Sequence, residues 1–120
     1  MGIDAETVRS EIEVEDLSRR FLAPAETAEI LALSPDARLA AFFTCWTRKE
    51  AFVKALGGLS ALDRFRVSVR SDQPARLIWV DGQESNRWSL LDVSEPGVAA
   101  ALVVEGPVPV LPRVNFVPPS

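Results

Sequence analysis

Three carboxylates and two lysines in this chain sit at spacings that chemistry can use. Glu50 lies within Trp46-Thr47-Arg48-Lys49-Glu50-Ala51-Phe52-Val53-Lys54-Ala55-Leu56-Gly57. On a helix of about 3.6 residues per turn, Leu39, Phe42, Phe43, Trp46 and Val53 fall on one apolar face and Glu50 lies inside it. Lys54 follows one turn later, and Lys49 flanks the stripe. A carboxylate at the edge of a core is costly unless it is paired, protonated or bound to a cation. Asp4 and Glu6 stand two residues apart in Gly2-Ile3-Asp4-Ala5-Glu6-Thr7, a predicted strand on which that spacing shares one face. If this strand lies beside the helix, Asp4, Glu6 and Glu50 converge on an all-oxygen site of the kind Mg²⁺ uses, completed by water and substrate phosphate. The lysines nearby favour an anionic ligand. Plainer readings of the same residues are a solvated acidic strand face, an i,i+4 Glu50–Lys54 ion pair, and a structural carboxylate cluster with no metal.

The elements that must position these groups run in the order strand, helices, strands. After the opening strand, Val14 to Phe21 reads as a short helix, and Pro24 with Glu26 opens a second over Ala25 to Leu33. A long helix is expected from about Asp36 to Leu56, with Ser34 as N-cap, Pro35 at its first position and Gly57 just past its end. Phe65 to Val69, Ala75 to Val80 and Arg87 to Val93 read as strands, and the apolar run Val98 to Val104 suits a central one. Asp81-Gly82 and Glu95-Pro96-Gly97 mark turns. The fold class is therefore α+β, with helices packed on one face of a mostly antiparallel sheet. Residues 1–106 form the domain. The tail 107–120 carries five prolines and cannot pair as a regular strand.

Composition excludes several function classes. With 120 residues, 48% hydrophobic and 25% charged, the chain fits one globular domain. Its net charge of -4 argues against nucleic acid as a partner. No apolar run approaches a membrane span, and the N-terminus lacks a secretory pattern. The absence of histidine removes Ser-His-Asp and Cys-His hydrolase schemes and most zinc sites. The single Cys45 precludes an internal disulfide, fits a reducing cytoplasmic compartment, and reads as a buried structural thiol. Trp46 reads as core, and Arg48, pointing away from the apolar face, as solvated. Lys49 taken alone reads as a solvated or salt-bridging lysine.

Gly2-Ile3-Asp4-x-Glu6, followed by Trp46-x-x-Lys49-Glu50-Ala51-x-x-Lys54-x-x-Gly57, resembles the 4'-phosphopantetheinyl transferases, specifically the surfactin-synthetase-activating type. Leu17-Ser18-Arg19-Arg20-Phe21-Leu22-Ala23-Pro24-Ala25-Glu26, Phe42-Phe43 and Gly57-Gly58-Leu59-Ser60 add local matches, so the resemblance runs from Gly2 to about Val69. It implies a transferase-like fold and transfer of the phosphopantetheine arm of coenzyme A to a carrier-protein serine, with 3',5'-adenosine bisphosphate leaving. By resemblance Asp4, Glu6 and Glu50 hold Mg²⁺, Lys54 meets the coenzyme A phosphates and balances the leaving group, and Lys49 assists. Glu50, or a water held by the metal, takes the serine proton.

Enzymes of the surfactin type consist of two similar halves with coenzyme A in the cleft between them, and this chain resembles only the second half. The resemblance therefore implies either a missing N-terminal half or a homo-oligomer that builds the cleft across an interface, as the shorter acyl-carrier-protein synthases do. The segment Thr7 through Leu22 corresponds to the carrier-docking region, where Arg9, Arg19 and Arg20 are available to an acidic carrier helix, although Glu11, Glu13, Glu15 and Asp16 leave it net acidic. The rival from another class is a non-catalytic carrier-binding or assembly module that retains half the fold.

Overall fold

The computed structural model describes residues 1–57, 62–70, 72–80 and 87–106. The elements are β1 (Gly2–Thr7), α1 (Val14–Phe21), α2 (Pro24–Leu31), α3 (Pro35–Ala55), a 3-10 turn (Leu62–Arg64), β2 (Phe65–Val67), β3 (Leu77–Val80), β4 (Trp88–Asp92) and β5 (Val98–Glu105). Expected order and element types hold. The Gly58-Leu59-Ser60 and Asp81-Gly82 turns and the tail 107–120 lie outside the described residues.

β5 is the centre of a sheet of order β1-β5-β4, and β2 pairs with β3 in a second sheet, all antiparallel. The fold is thus α+β as expected, with its antiparallel strands divided between two sheets. β2 stops at Val67 instead of Val69, and its register slips between Arg66 and Val67. Beyond the slip, Ser68 continues the connection by donating its N–H to the Arg76 carbonyl at 2.9 Å and accepting the Arg76 N–H on its hydroxyl at 2.8 Å. The Glu95-Pro96-Gly97 turn returns the chain into β5 through mutual Glu95–Val98 backbone bonds of 2.9 Å, with Gly97 at φ 78°.

Helix ends explain the segmentation. Pro24 and Pro35 each open a helix. Glu26 accepts the Ala23 N–H at 2.9 Å and so caps the start of α2. Ser34 does not cap α3 with its side chain. Instead the Arg38 guanidinium reaches back to the Leu33 and Leu31 carbonyls at 3.1 and 2.7 Å, satisfying the end of α2. Leu56 ends α3, and Gly57 follows at φ 77°, the left-handed position expected of it.

α3 corrects the one-faced reading of the sequence. It is the central helix, packed against β1 and β5 on one side and against α1, α2 and β2 elsewhere. From Ala41 to Phe52 it is buried all round except at Trp46 and Glu50, which are half-buried. Phe52 meets Phe65 and Trp88 at ring-centroid distances of 4.7 and 5.4 Å. The expected stripe therefore captured only part of the core. Among the described residues no helix is long and apolar enough to cross a membrane.

Candidate functional site

β1 alternates as its sequence dictates. Gly2 and Asp4 are buried, Glu6 is half-buried, and Ile3, Ala5 and Thr7 face outward. Its inner face lies directly on α3. A Cβ at Gly2 would collide with the Ala51 carbonyl and come within 2.5 Å of the Ala55 nitrogen, so only glycine allows the strand this close. Two strand residues advance about 6.6 Å, which is about four residues of helix at about 1.5 Å each. From Gly2 opposite Ala51 and Ala55, that step brings Asp4 level with Glu50 and Glu6 toward Trp46 and Phe43.

The contacts follow that geometry. Lys54 Nζ donates to Asp4 Oδ1 at 2.7 Å, while Asp4 Oδ2 is buried without a hydrogen-bond partner. The carboxyl of Glu50 is pushed above its ordinary range by burial first, then by the negative charges of Asp4 and Glu6, with Lys54 pulling the other way. Lys54, half exposed, is held more firmly protonated by its hydrogen bond to Asp4 and by the charges of Asp4, Glu50 and Glu6. The sequence-predicted set Asp4, Glu6, Glu50 and Lys54 thus shares one face and one electrostatic neighbourhood. Its carboxylates do not close on a point. Among the described residues no three acidic, cysteine or histidine side chains stand together closely enough to hold a metal ion, and the Lys54 ammonium is the cation on Asp4. The orphaned Asp4 Oδ2 and the hard oxygen donors of Asp4, Glu6 and Glu50 are nevertheless the features a divalent cation satisfies.

Lys49 does not join them. It is 0% exposed, donating to Glu26 Oε1 at 2.5 Å and to the Phe65 carbonyl at 2.7 Å, with its ammonium 4.5 Å from the Phe65 ring centroid. Its ammonium is thus held in the interior by a carboxylate and a main-chain carbonyl, apart from the Lys54–Asp4 pair. Arg48, expected in solvent, is also 0% exposed. It donates to Asp92 Oδ2 at 2.8 Å and to the Ser68 carbonyl at 2.7 Å. Both cations are buried because each meets a preplaced acceptor, which no helical pattern reveals. Burial raises the Glu26 carboxyl, opposed by the Lys49 charge and by hydrogen bonds from Lys49, Val67 and Ala23. At Asp92 burial is outweighed by the hydrogen bonds of Ser94 and Arg48, and the carboxyl falls below its ordinary range. Cys45 is fully buried and its thiol is pushed well up, chiefly by burial, so it is no nucleophile.

Beyond Glu6 opens an aromatic groove of about 210 Å³, lined by Phe21, Phe42, Phe43 and Trp46 with Glu6 and Arg9. Arg9 stands 5.8 Å from the Phe43 ring centroid. Arg19 and Arg20 are exposed but paired within α1 to Glu15 and Asp16 at 3.0 and 3.5 Å. They present a mixed-charge face.

Comparison with known proteins gives this arrangement a family. The model of the 4'-phosphopantetheinyl transferase superfamily matches residues 1–103. The 4'-phosphopantetheinyl transferase HetI of Nostoc sp. is 34% identical over 108 residues, which are 88% of this chain and 44% of HetI. The 4'-phosphopantetheinyl transferase of Bacillus subtilis is 35% identical over 86 residues, 70% of this chain and 38% of that protein. The chain thus spans less than half the length of these relatives. Among solved structures, a holo-(acyl-carrier-protein) synthase from Bacillus anthracis in complex with CoA (3',5'-ADP) superposes with a TM-score of 0.70 at 21% identity, covering 88% of this chain and 95% of that one. The Thermotoga maritima holo-[acyl-carrier-protein] synthase gives a TM-score of 0.60 at 25% identity, covering 88% and 61%. Family model, curated relatives and fold agree, and the chain belongs to the 4'-phosphopantetheinyl transferase superfamily.

Proposed function

We propose that residues 1–106 are one half of a Mg²⁺-dependent 4'-phosphopantetheinyl transferase of the longer, surfactin-activating type. The reaction moves the phosphopantetheine arm of coenzyme A onto a serine of an acyl or peptidyl carrier protein. The observation that carries this reading is the packing of β1 on α3, which sets buried Asp4, with Oδ1 on Lys54 and Oδ2 unpartnered, beside Lys54 and Glu50. The chemistry joins the serine oxygen to the phosphorus that bears pantetheine, breaks the bond to the second phosphate, and releases 3',5'-adenosine bisphosphate and the serine proton. Asp4, Glu6 and Glu50 would hold Mg²⁺, which when bound would supply charge neutralisation on the diphosphate. Lys54, firmly protonated and half exposed, swings from Asp4 to the phosphates and balances the leaving group. The raised carboxyl of Glu50 makes it a suitable acceptor for the serine proton, provided it reaches hydrogen-bond distance in the ternary complex. The groove beyond Glu6, with Arg9 on its rim, is the candidate docking place for the carrier. The cytoplasm, suited to a chain with one reduced thiol, is the proposed location.

The chain covers 44% of HetI, and the rest of the coenzyme A cleft comes from an N-terminal half or from a second copy of this chain. A second reading is a carrier-binding module that retains half the fold without catalysis. Mass spectrometry of an apo carrier domain incubated with coenzyme A, Mg²⁺ and this chain decides between them. Transfer adds one phosphopantetheine to the serine, and Glu50→Ala abolishes it while the circular dichroism spectrum is kept. No mass gain at any protein concentration, nor with an added N-terminal half from a relative, establishes the binding module.

A further inference from the structure

Three consecutive residues of α3 leave the helix about 100° apart, as about 3.6 residues per turn requires, and each enters a different part of the fold. Arg48 reaches Asp92 at the end of β4 and Ser68 beyond β2. Lys49 reaches Glu26 of α2 and the Phe65 carbonyl of β2. Glu50 points toward β1. We propose that Arg48 and Lys49 are positioning residues, two buried cations that set the roll of α3 about its axis and thereby aim Glu50 and Lys54 at Asp4. The inference rests on the transferase reading above, and it takes Lys49 away from coenzyme A.

The anchors are suited to this task because they end on main chain. Lys49 bonds the Phe65 carbonyl directly, and its carboxylate partner Glu26 is pinned by the N–H groups of Ala23 and Val67 at 2.9 and 2.8 Å. Arg48 bonds the Ser68 carbonyl at 2.7 Å and the Ser68 hydroxyl at 3.0 Å. Neither cation touches solvent. Apolar packing tolerates small slides and repacking, whereas a buried charge held by several directed hydrogen bonds is satisfied in one orientation only, and this holds for Arg48 although its Nε is left without a partner. With side-chain tips about 5–6 Å from the helix axis, a roll of about 10° carries a carboxylate about 1 Å, a displacement worth roughly 100-fold in turnover. The directional anchors and the reacting groups share one rigid helix, so whatever fixes the first aims the second.

The test replaces the interior pair together, since Lys49→Met alone would strand Glu26 as a buried charge. The double variant Glu26→Gln/Lys49→Met is compared with wild type by thermal melting, by Mn²⁺ titration followed by electron paramagnetic resonance, and by transfer kinetics in the assembly that supports wild-type turnover. The expected result is a folded protein whose kcat falls by about 100-fold and whose Mn²⁺ affinity falls by about tenfold, with the KM for coenzyme A unchanged. If the double variant does not fold, Asp92→Asn, at the exposed end of β4, loosens the other anchor and is expected to lower kcat at unchanged KM. Wild-type kcat and Mn²⁺ affinity in the folded variant overturn the inference while leaving the transferase reading intact. A raised KM with unchanged kcat also overturns it, by returning Lys49 to coenzyme A. A wild-type chain that neither binds Mn²⁺ nor transfers overturns the transferase reading, and this inference with it.

Discussion

Glu50 is a carboxylate that the fold holds at a cost. Burial and the charges of Asp4 and Glu6 raise its pKa above the ordinary 4.5, and Lys54 offsets only part of that. A folded state with a raised carboxyl pKa binds the proton more tightly than the unfolded chain. Its stabilising share is therefore present below pH 4.5 and is lost as pH rises through the raised value. At pH 7 without metal, Glu50→Gln is expected to melt at a higher temperature than wild type, and the difference should vanish below that pH. Mg²⁺ should raise the melting temperature of wild type and not of the variant, because only a native-state ligand stabilises. Calorimetric melts across pH, with and without Mg²⁺, measure both effects. Equal melting temperatures at neutral pH would show that Glu50 carries no such strain.

Between elements, the contact that matters is β1 on α3, and it depends on a hydrogen atom at Gly2. Gly2→Ala places a methyl group against the backbone of Ala51 and Ala55, which cannot rotate aside as a side chain would. The strand must lift, carrying Asp4 off Lys54. Overpacking of this kind costs about 1–3 kcal/mol, and denaturant unfolding should show that loss together with weakened Mg²⁺ binding. An alanine variant with wild-type stability and metal affinity would mean that the strand has slack. The paired β1–β5 register, Asp4 opposite Ala101 and Glu6 opposite Ala99, leaves only small residues beside the acids, so their orientation is set by α3 and not by cross-strand neighbours.

For the whole molecule, the governing fact is length. The chain spans 44% of HetI, and Ile3 of β1 (58% exposed) and Val93 just past β4 (43% exposed) face outward with Met1 beside the strand start. If a second copy completes the cleft, specific activity must rise with protein concentration until assembly is saturated and then level off. Transfer assays over a dilution series, paired with light scattering, test this. Activity strictly proportional to concentration, with a monomer throughout, would require a chain that builds the cleft alone.

The sequence alone determined the parts with short-range signals. Asp4 and Glu6 shared a strand face, Pro35 and Gly57 bounded the long helix, and the apolar run from Val98 became the central strand, because pleat, capping and φ preference are local properties. The same motifs pointed to the superfamily. Only the tertiary structure decided which charges are interior. Arg48 and Lys49 read as solvated or flanking residues, yet both are wholly buried, because their acceptors Asp92, Ser68, Glu26 and Phe65 lie 16 to 44 residues away. It also decided that Lys54 sits on Asp4 and that the acids share a neighbourhood without closing on a point. The burial of a charge depends on a partner brought by the fold, and no periodicity along one helix contains that partner.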